Sequence, residues 1–150
     1  MSMPAATELA DFEAQCDAWF REHTVADPGF MLPLTFMEVS TDQQFDFLQK
    51  WQNQVYEAGY IGMSWPAEYG GAGLGLEHMI IITDEFARAR SPGNDMFVIS
   101  MNHVPGTLIP HGSEAQKKRY LPGVPAGELW CQGFSEPGAG SDLAGLQTRA

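Results

Sequence analysis

Apolar side chains recur at spacings of three and four along the first part of the chain, and that period assigns its elements. Leu9, Phe12, Cys16, Trp19 and His23 follow it behind Thr7, which predicts an amphipathic helix with Thr7 as its N-cap. Asp27-Pro28-Gly29 ends that helix, and a loop with Pro33 runs to Ser40. Ser40-x-x-Gln43 has the form of a capping box, opening a second helix with Phe45, Leu48, Trp51 and Val55 inward and Gly59 as its stop. From Gly59 to Gly75 the glycines alternate with Tyr60, Ile61, Met63, Trp65 and Tyr69. Flexible linkers lack such aromatics, so this is a packed connection. Leu76, Met79, Ile80, Thr83, Phe86 and Ala87 trace a third helix. Arg88 and Arg90 set cations against its C-terminal partial charge before Ser91-Pro92-Gly93 breaks it.

The run from Met96 to Ile109 is apolar and contains Pro105. It reads as a short helix to about Met101 and another from about Pro105, with a break at Asn102-His103. His111-Gly112 ends the second of these, and Ser113-x-x-Gln116 caps a last short helix whose Lys117, Lys118 and Arg119 form a solvated final turn. Pro122 and Pro125 stop helical structure, and Leu129 to Ser135 alternates sides as a strand does. Ser141 and Asp142 read as the cap and first turn of a further helix. The fold class is therefore an all-α helical domain, residues 1–127, followed by the first strand and loop of a β-domain, residues 128–150. One strand has no ladder partner, so its backbone groups call for partners outside this sequence.

Charge narrows the function classes. The 150 residues hold 8 basic and 19 acidic side chains, a net charge of −11, which repels nucleic-acid phosphates. A polyanionic ligand would be held by backbone amides, helix N-termini and the few cations. Cys16 and Cys131 are far apart, and His23, His78, His103 and His111 are scattered, so neither a disulfide framework nor a metal site is expected. The N-terminus has no basic segment before an apolar run, and no apolar stretch reaches membrane-span length. A cytoplasmic protein is expected.

The most informative chemistry lies in Trp130-Cys131-Gln132-Gly133-Phe134-Ser135-Glu136-Pro137-Gly138-Ala139-Gly140-Ser141-Asp142. Glycines let backbone N–H groups approach an anion closely, which suits a phosphate-bearing cofactor. A plain turn between two elements would also use Pro137 and two glycines. Gly138 to Leu143 lacks the third glycine of G-x-G-x-x-G, no lysine follows as in a P-loop, and Gly133 to Pro137 fails the G-x-S-x-G elbow at its last position. Ser135 is thus a hydrogen-bond donor rather than a nucleophile. The other glycine run, Gly70 to Gly75, reads as a tight lead-in to the third helix.

The segment Ser135 to Asp142 resembles the flavin-binding signature of the acyl-CoA dehydrogenase family. The resemblance extends through Trp65 to Gly75, Asp84 to Ala89 and His111 to Leu121, covering about residues 40 to 150 in the family's order. It implies an N-terminal helical domain, a middle β-domain and a C-terminal bundle, so this chain would be the first and the opening of the second. It also implies FAD, with Gln132, Phe134 and Ser135 at the pyrimidine end of the isoalloxazine and Gly140 and Ser141 at the pyrophosphate. Ser141, Met101, Asn102 and His103 are implied substrate contacts near the acyl cavity, although Met101 also reads as core. In the implied reaction an acyl-CoA becomes its 2,3-enoyl form as a carboxylate removes the α-proton and the β-hydrogen leaves as hydride. The family's base lies in the C-terminal domain, so no acidic residue here is catalytic. Further implied partners are an electron-transfer flavoprotein-type acceptor and other subunits, in a homo- or hetero-oligomer. A flavin monooxygenase or nitroalkane oxidase of the same fold, and a non-catalytic helical association subunit, are the alternative readings.

Overall fold

The computed structural model describes residues 8–23, 25–92 and 97–149. Helix α1, Leu9–Glu22, begins behind Glu8, and the expected Thr7 cap lies outside the described residues. Its buried row is Phe12, Cys16 and Phe20, a strict four-residue step, while Leu9 is exposed. Trp19 instead stacks on His23 with ring centroids 4.3 Å apart. Helix α2, Asp42–Glu57, buries Leu48, Trp51, Gln52 and Val55. The expected Ser40/Gln43 capping box does not form; the N-cap is Thr41, one residue later. Thr41 accepts from the Gln44 N–H at 3.2 Å, and the Gln44 side-chain Oε1 accepts from the Ser40 N–H at 3.0 Å, one residue before the cap. Adjacent hydroxyls and adjacent glutamines allow either register; the Gln44 amide also donates to the Met31 carbonyl, a bond to the preceding loop that selects this one. Gly59, at φ 85°, closes α2 as expected, with Tyr60 N–H on the Val55 carbonyl and Gly59 N–H on that of Tyr56.

Helix α3, Leu76–Arg88, keeps part of its predicted apolar stripe inward, Met79 and Phe86 packing against the core, but is rotated from it. Ile82 and Glu85 are buried, whereas Leu76 and Ile80 are exposed. The core that α1, α2 and α3 share joins Phe12, Cys16, Phe20, Trp51, Val55 and Ile82 to Tyr60, Ile61 and Met63 of the connection. The connection is packed, as its aromatics predicted. Ala72 and Leu74 both donate to the Met63 carbonyl and Gly73 to that of Trp65, at 2.8–3.1 Å, so the glycine run spends its N–H groups on the chain itself. A Cβ at Gly71 would lie 2.0 Å from the Trp65 carbonyl oxygen, which is why this position takes glycine.

No break occurs at Asn102-His103. Residues Ile99–His103 form a π-turn, Val104 N–H bonding the Ile99 carbonyl, and α4, Val104–His111, continues directly from it. Pro105 supplies no N–H and its ring crowds the carbonyl four residues back, and the wider turn carries the chain through that defect without ending the helix. Helix α5, Glu114–Tyr120, has the complete Ser113/Gln116 capping box. Lys117 is not solvated: its side chain is 15% exposed, and its Nζ lies 2.9 Å from Glu114, whose other oxygen accepts from the Tyr69 hydroxyl at 2.8 Å. A second core, Trp65, Tyr69, Val104, Leu121 and Val124, sits beneath.

The expected strand does not form. Residues 129–135 are irregular and mostly exposed, and among the described residues there is no second strand to supply ladder bonds. The helix expected at Ser141-Asp142 is a single 3₁₀ turn, Leu143–Gly145, without a side-chain cap. Among the described residues, no helix is long and apolar enough to cross a membrane.

Candidate functional site

A cavity of about 360 Å³ opens between the aromatic connection, α3 and the π-turn. Its walls are chiefly apolar, from Tyr60, Trp65, Met79, Ile82, Phe86 and Met101, with Ser64, Thr83 and Asn102 adding polar groups. The Thr83 hydroxyl donates to the Met79 carbonyl at 2.7 Å and is spent within its own helix. Among the described residues no carboxylate and no imidazole lines this space. Its chemistry is that of a binding pocket for an apolar group, not of an acid–base centre. Cys16, behind the wall, is no nucleophile: burial pushes its thiol up to about 12, against a lowering bond from Tyr60.

The glycine loop is held from within. Glu136 and Ala139 exchange backbone bonds at 2.9 and 3.1 Å, making the turn that carries Pro137 and Gly138. The Glu136 carboxylate accepts from the Thr148 hydroxyl and from the N–H groups of Gln147 and Thr148 at 2.8 and 2.7 Å. Those bonds, the Thr148 hydroxyl first, hold it below the usual carboxylate range, so Glu136 is a staple and not a base. Phe134, Ser135, Gly140 and Ser141 are exposed. Among the described residues no backbone hydrogen bond uses the Gly140 or Ser141 N–H, and a Cβ at Gly138 or Gly140 would meet nothing within 4 Å. Uncommitted donors, two hydroxyls and glycines that the chain itself does not require form a set that fits a pyrophosphate-bearing cofactor such as FAD.

Cavity and loop meet at the π-turn. Trp130 N–H donates to the Ser100 hydroxyl oxygen at 2.9 Å, and the Gln132 amide donates to Nδ1 of His103 at 3.1 Å. Of the expected substrate contacts, Met101 and Asn102 line the cavity. His103 does not; it holds Gln132, one of the expected cofactor contacts. Ser141 is not among the lining residues. Sequence reasoning missed Tyr60, Ser64, Trp65 and Thr83 as cavity walls, although the density of aromatics in the connection was a usable signal. It also missed Ser100, whose one cue is a hydroxyl inside an apolar run.

Residues 34–128 match the family described as "Acyl-CoA dehydrogenase, N-terminal domain". Acyl-CoA dehydrogenase IpdE1 of Mycolicibacterium smegmatis is 35% identical over 149 residues, 95% of this chain and 36% of that protein. Among solved structures, one titled "Tcur3481-Tcur3483 steroid ACAD" superposes with a TM-score of 0.65 at 31% identity, over 99% of this chain and 37% of that one. An acyl-CoA dehydrogenase of Bacillus anthracis complexed with FAD shares the fold, with a TM-score of 0.63 at 24% identity over 97% of this chain and 24% of that one. The chain spans about a third of the length of the first two.

Proposed function

We propose, from the premise that this chain belongs to the acyl-CoA dehydrogenase family, that it forms the N-terminal part of an FAD-dependent enzyme oxidising acyl-CoA thioesters to 2,3-enoyl-CoA. The observation that carries this reading is the junction of an apolar cavity with the flavin-type loop at one π-turn. In it, Gln132, Phe134 and Ser135 meet the pyrimidine end of the cofactor, while Gly140 and Ser141 hold the pyrophosphate. Bound FAD supplies the two-electron acceptor. Met101 and Asn102 shape the acyl site, Ser141 reaches the substrate from the loop, and His103 acts on the loop through Gln132.

We place the division between a helical domain and the opening of a β-domain at residues 127 and 128, a reading supported by a family match that ends at residue 128. No acid among the described residues lines the cavity, which supports a base contributed by another part of the enzyme. An electron-transfer flavoprotein-type acceptor completes the cycle, and the paired name of one structural neighbour supports assembly with further subunits. The free cysteines, Cys16 and Cys131, support a cytoplasmic setting. The test is anaerobic and uses the complete enzyme that includes this chain: it carries flavin absorbance that bleaches on adding acyl-CoA thioesters. Absence of bound flavin, or bleaching by nitroalkanes and not by thioesters, overturns the reading.

A further inference from the structure

Ser100 is a buried hydroxyl, 1% exposed, in an otherwise apolar run. It sits in the π-turn whose next two residues, Met101 and Asn102, form part of the cavity wall. Its oxygen accepts the Trp130 N–H at 2.9 Å. That bond joins positions 30 residues apart and is made where the chain leaves the helical body for the loop. Trp130 also packs edge-on to Tyr120 at 5.2 Å, and two residues later Gln132 bonds His103. Among the described residues, these are the attachments that tie the segment to the helical body.

We propose that Ser100 is a positioning residue: through the Trp130 N–H it sets the register of the Gln132–Ser135 segment against the acyl cavity. A π-turn suits this task because its extra residue per turn shifts the positions around Ser100, Met101 and Asn102 relative to the face that α4 continues. One turn then presents the cavity wall and, from its buried hydroxyl, the anchor for the loop. The inference rests on the flavin reading above. Small errors of placement between two reacting groups cost large factors in rate, so the anchor acts on turnover more than on affinity.

The experiment uses Ser100→Ala, with Ser100→Thr to retain the oxygen and Ser100→Cys to keep the volume with a weaker acceptor. In the chain itself, amide exchange followed by NMR should accelerate about tenfold at Trp130 in Ser100→Ala while Val55 in α2 is unchanged. In the complete FAD-loaded enzyme that includes this chain, kcat should fall about tenfold with little change in KM or FAD affinity, and Ser100→Thr should recover both readouts. Should Ser100→Ala not fold, Ser100→Cys carries the same expectations. Unchanged Trp130 exchange, acceleration shared equally with α2, or an unaltered kcat each overturns the proposal. Failure of the parent protein to bind flavin instead overturns the cofactor reading, and that result is read before any variant is made.

Discussion

At the scale of single residues, two kinds of glycine separate structure from function. Gly71 is required by the fold, since a Cβ there would meet the Trp65 carbonyl oxygen at 2.0 Å. Gly71→Ala should destabilise the protein by about 1–3 kcal/mol or more, read as a drop in melting temperature. Gly140 faces open space, so Gly140→Ala should melt like the parent yet bind FAD more weakly by titration. The serines divide likewise. If Ser135 donates to the pyrimidine end of the reduced cofactor, Ser135→Ala loses a charge-assisted bond of about 1.5–3 kcal/mol, lowering the flavin potential by about 30–65 mV. Ser141→Ala should loosen FAD with a smaller effect on potential, because a pyrophosphate contact holds both redox forms almost equally. Redox titration beside binding isotherms checks this pair, and equal losses of affinity with unchanged potentials would remove Ser135 from the flavin.

At the scale of elements, the contact between α1 and α3 holds a buried acid. Glu85 lies 3.0 Å from the Arg88 guanidinium, yet its side chain is almost wholly covered. Burial, helped by Asp17 and Glu13, pushes its carboxyl above the ordinary value of 4.5, outweighing Arg88 and Arg21. A folded-state value raised in this way contributes stability that is complete below 4.5 and is lost as pH rises through the folded value. Glu85→Gln removes that penalty. Its melting temperature should exceed the parent's at about pH 7 and match it at about pH 4, so an equal effect at both would show that Arg88, not burial, governs the site.

For the whole molecule, the missing chemistry is as specific as what is present. The described residues that line the cavity give apolar walls and hydroxyl and amide groups but no acid or imidazole, so none of them can take an α-proton. This chain alone should show no acyl-CoA dehydrogenation above a protein-free blank with an artificial electron acceptor and a panel of thioesters. Turnover in preparations free of longer enzyme would require a base among the 19 acids outside the cavity.

Local signals were legible from the residues alone. The helices α1, α2, α3 and α5, the Ser113/Gln116 box, the stop at Gly59 and the packed connection each depend on neighbours within a few positions, where side-chain period and capping geometry suffice. The glycine segment was legible as a loop for the same reason, while its cofactor role rests on the family resemblance. Other outcomes needed the tertiary structure. An apolar stripe can turn by tens of degrees at little local cost, so packing against α1 decided that α3 buries Ile82 and Glu85 and leaves Leu76 and Ile80 outside. Continuity through Pro105 by a π-turn replaced the expected break because the surrounding packing, not the proline alone, sets the helix path. The strand expected at 129–135 failed to form because a strand exists only with a partner, and alternation in one segment carries no information about that partner. The meeting of Ser100 with Trp130 and of His103 with Gln132 was likewise decided in three dimensions, since pairings 30 and 29 residues apart leave no period in the sequence.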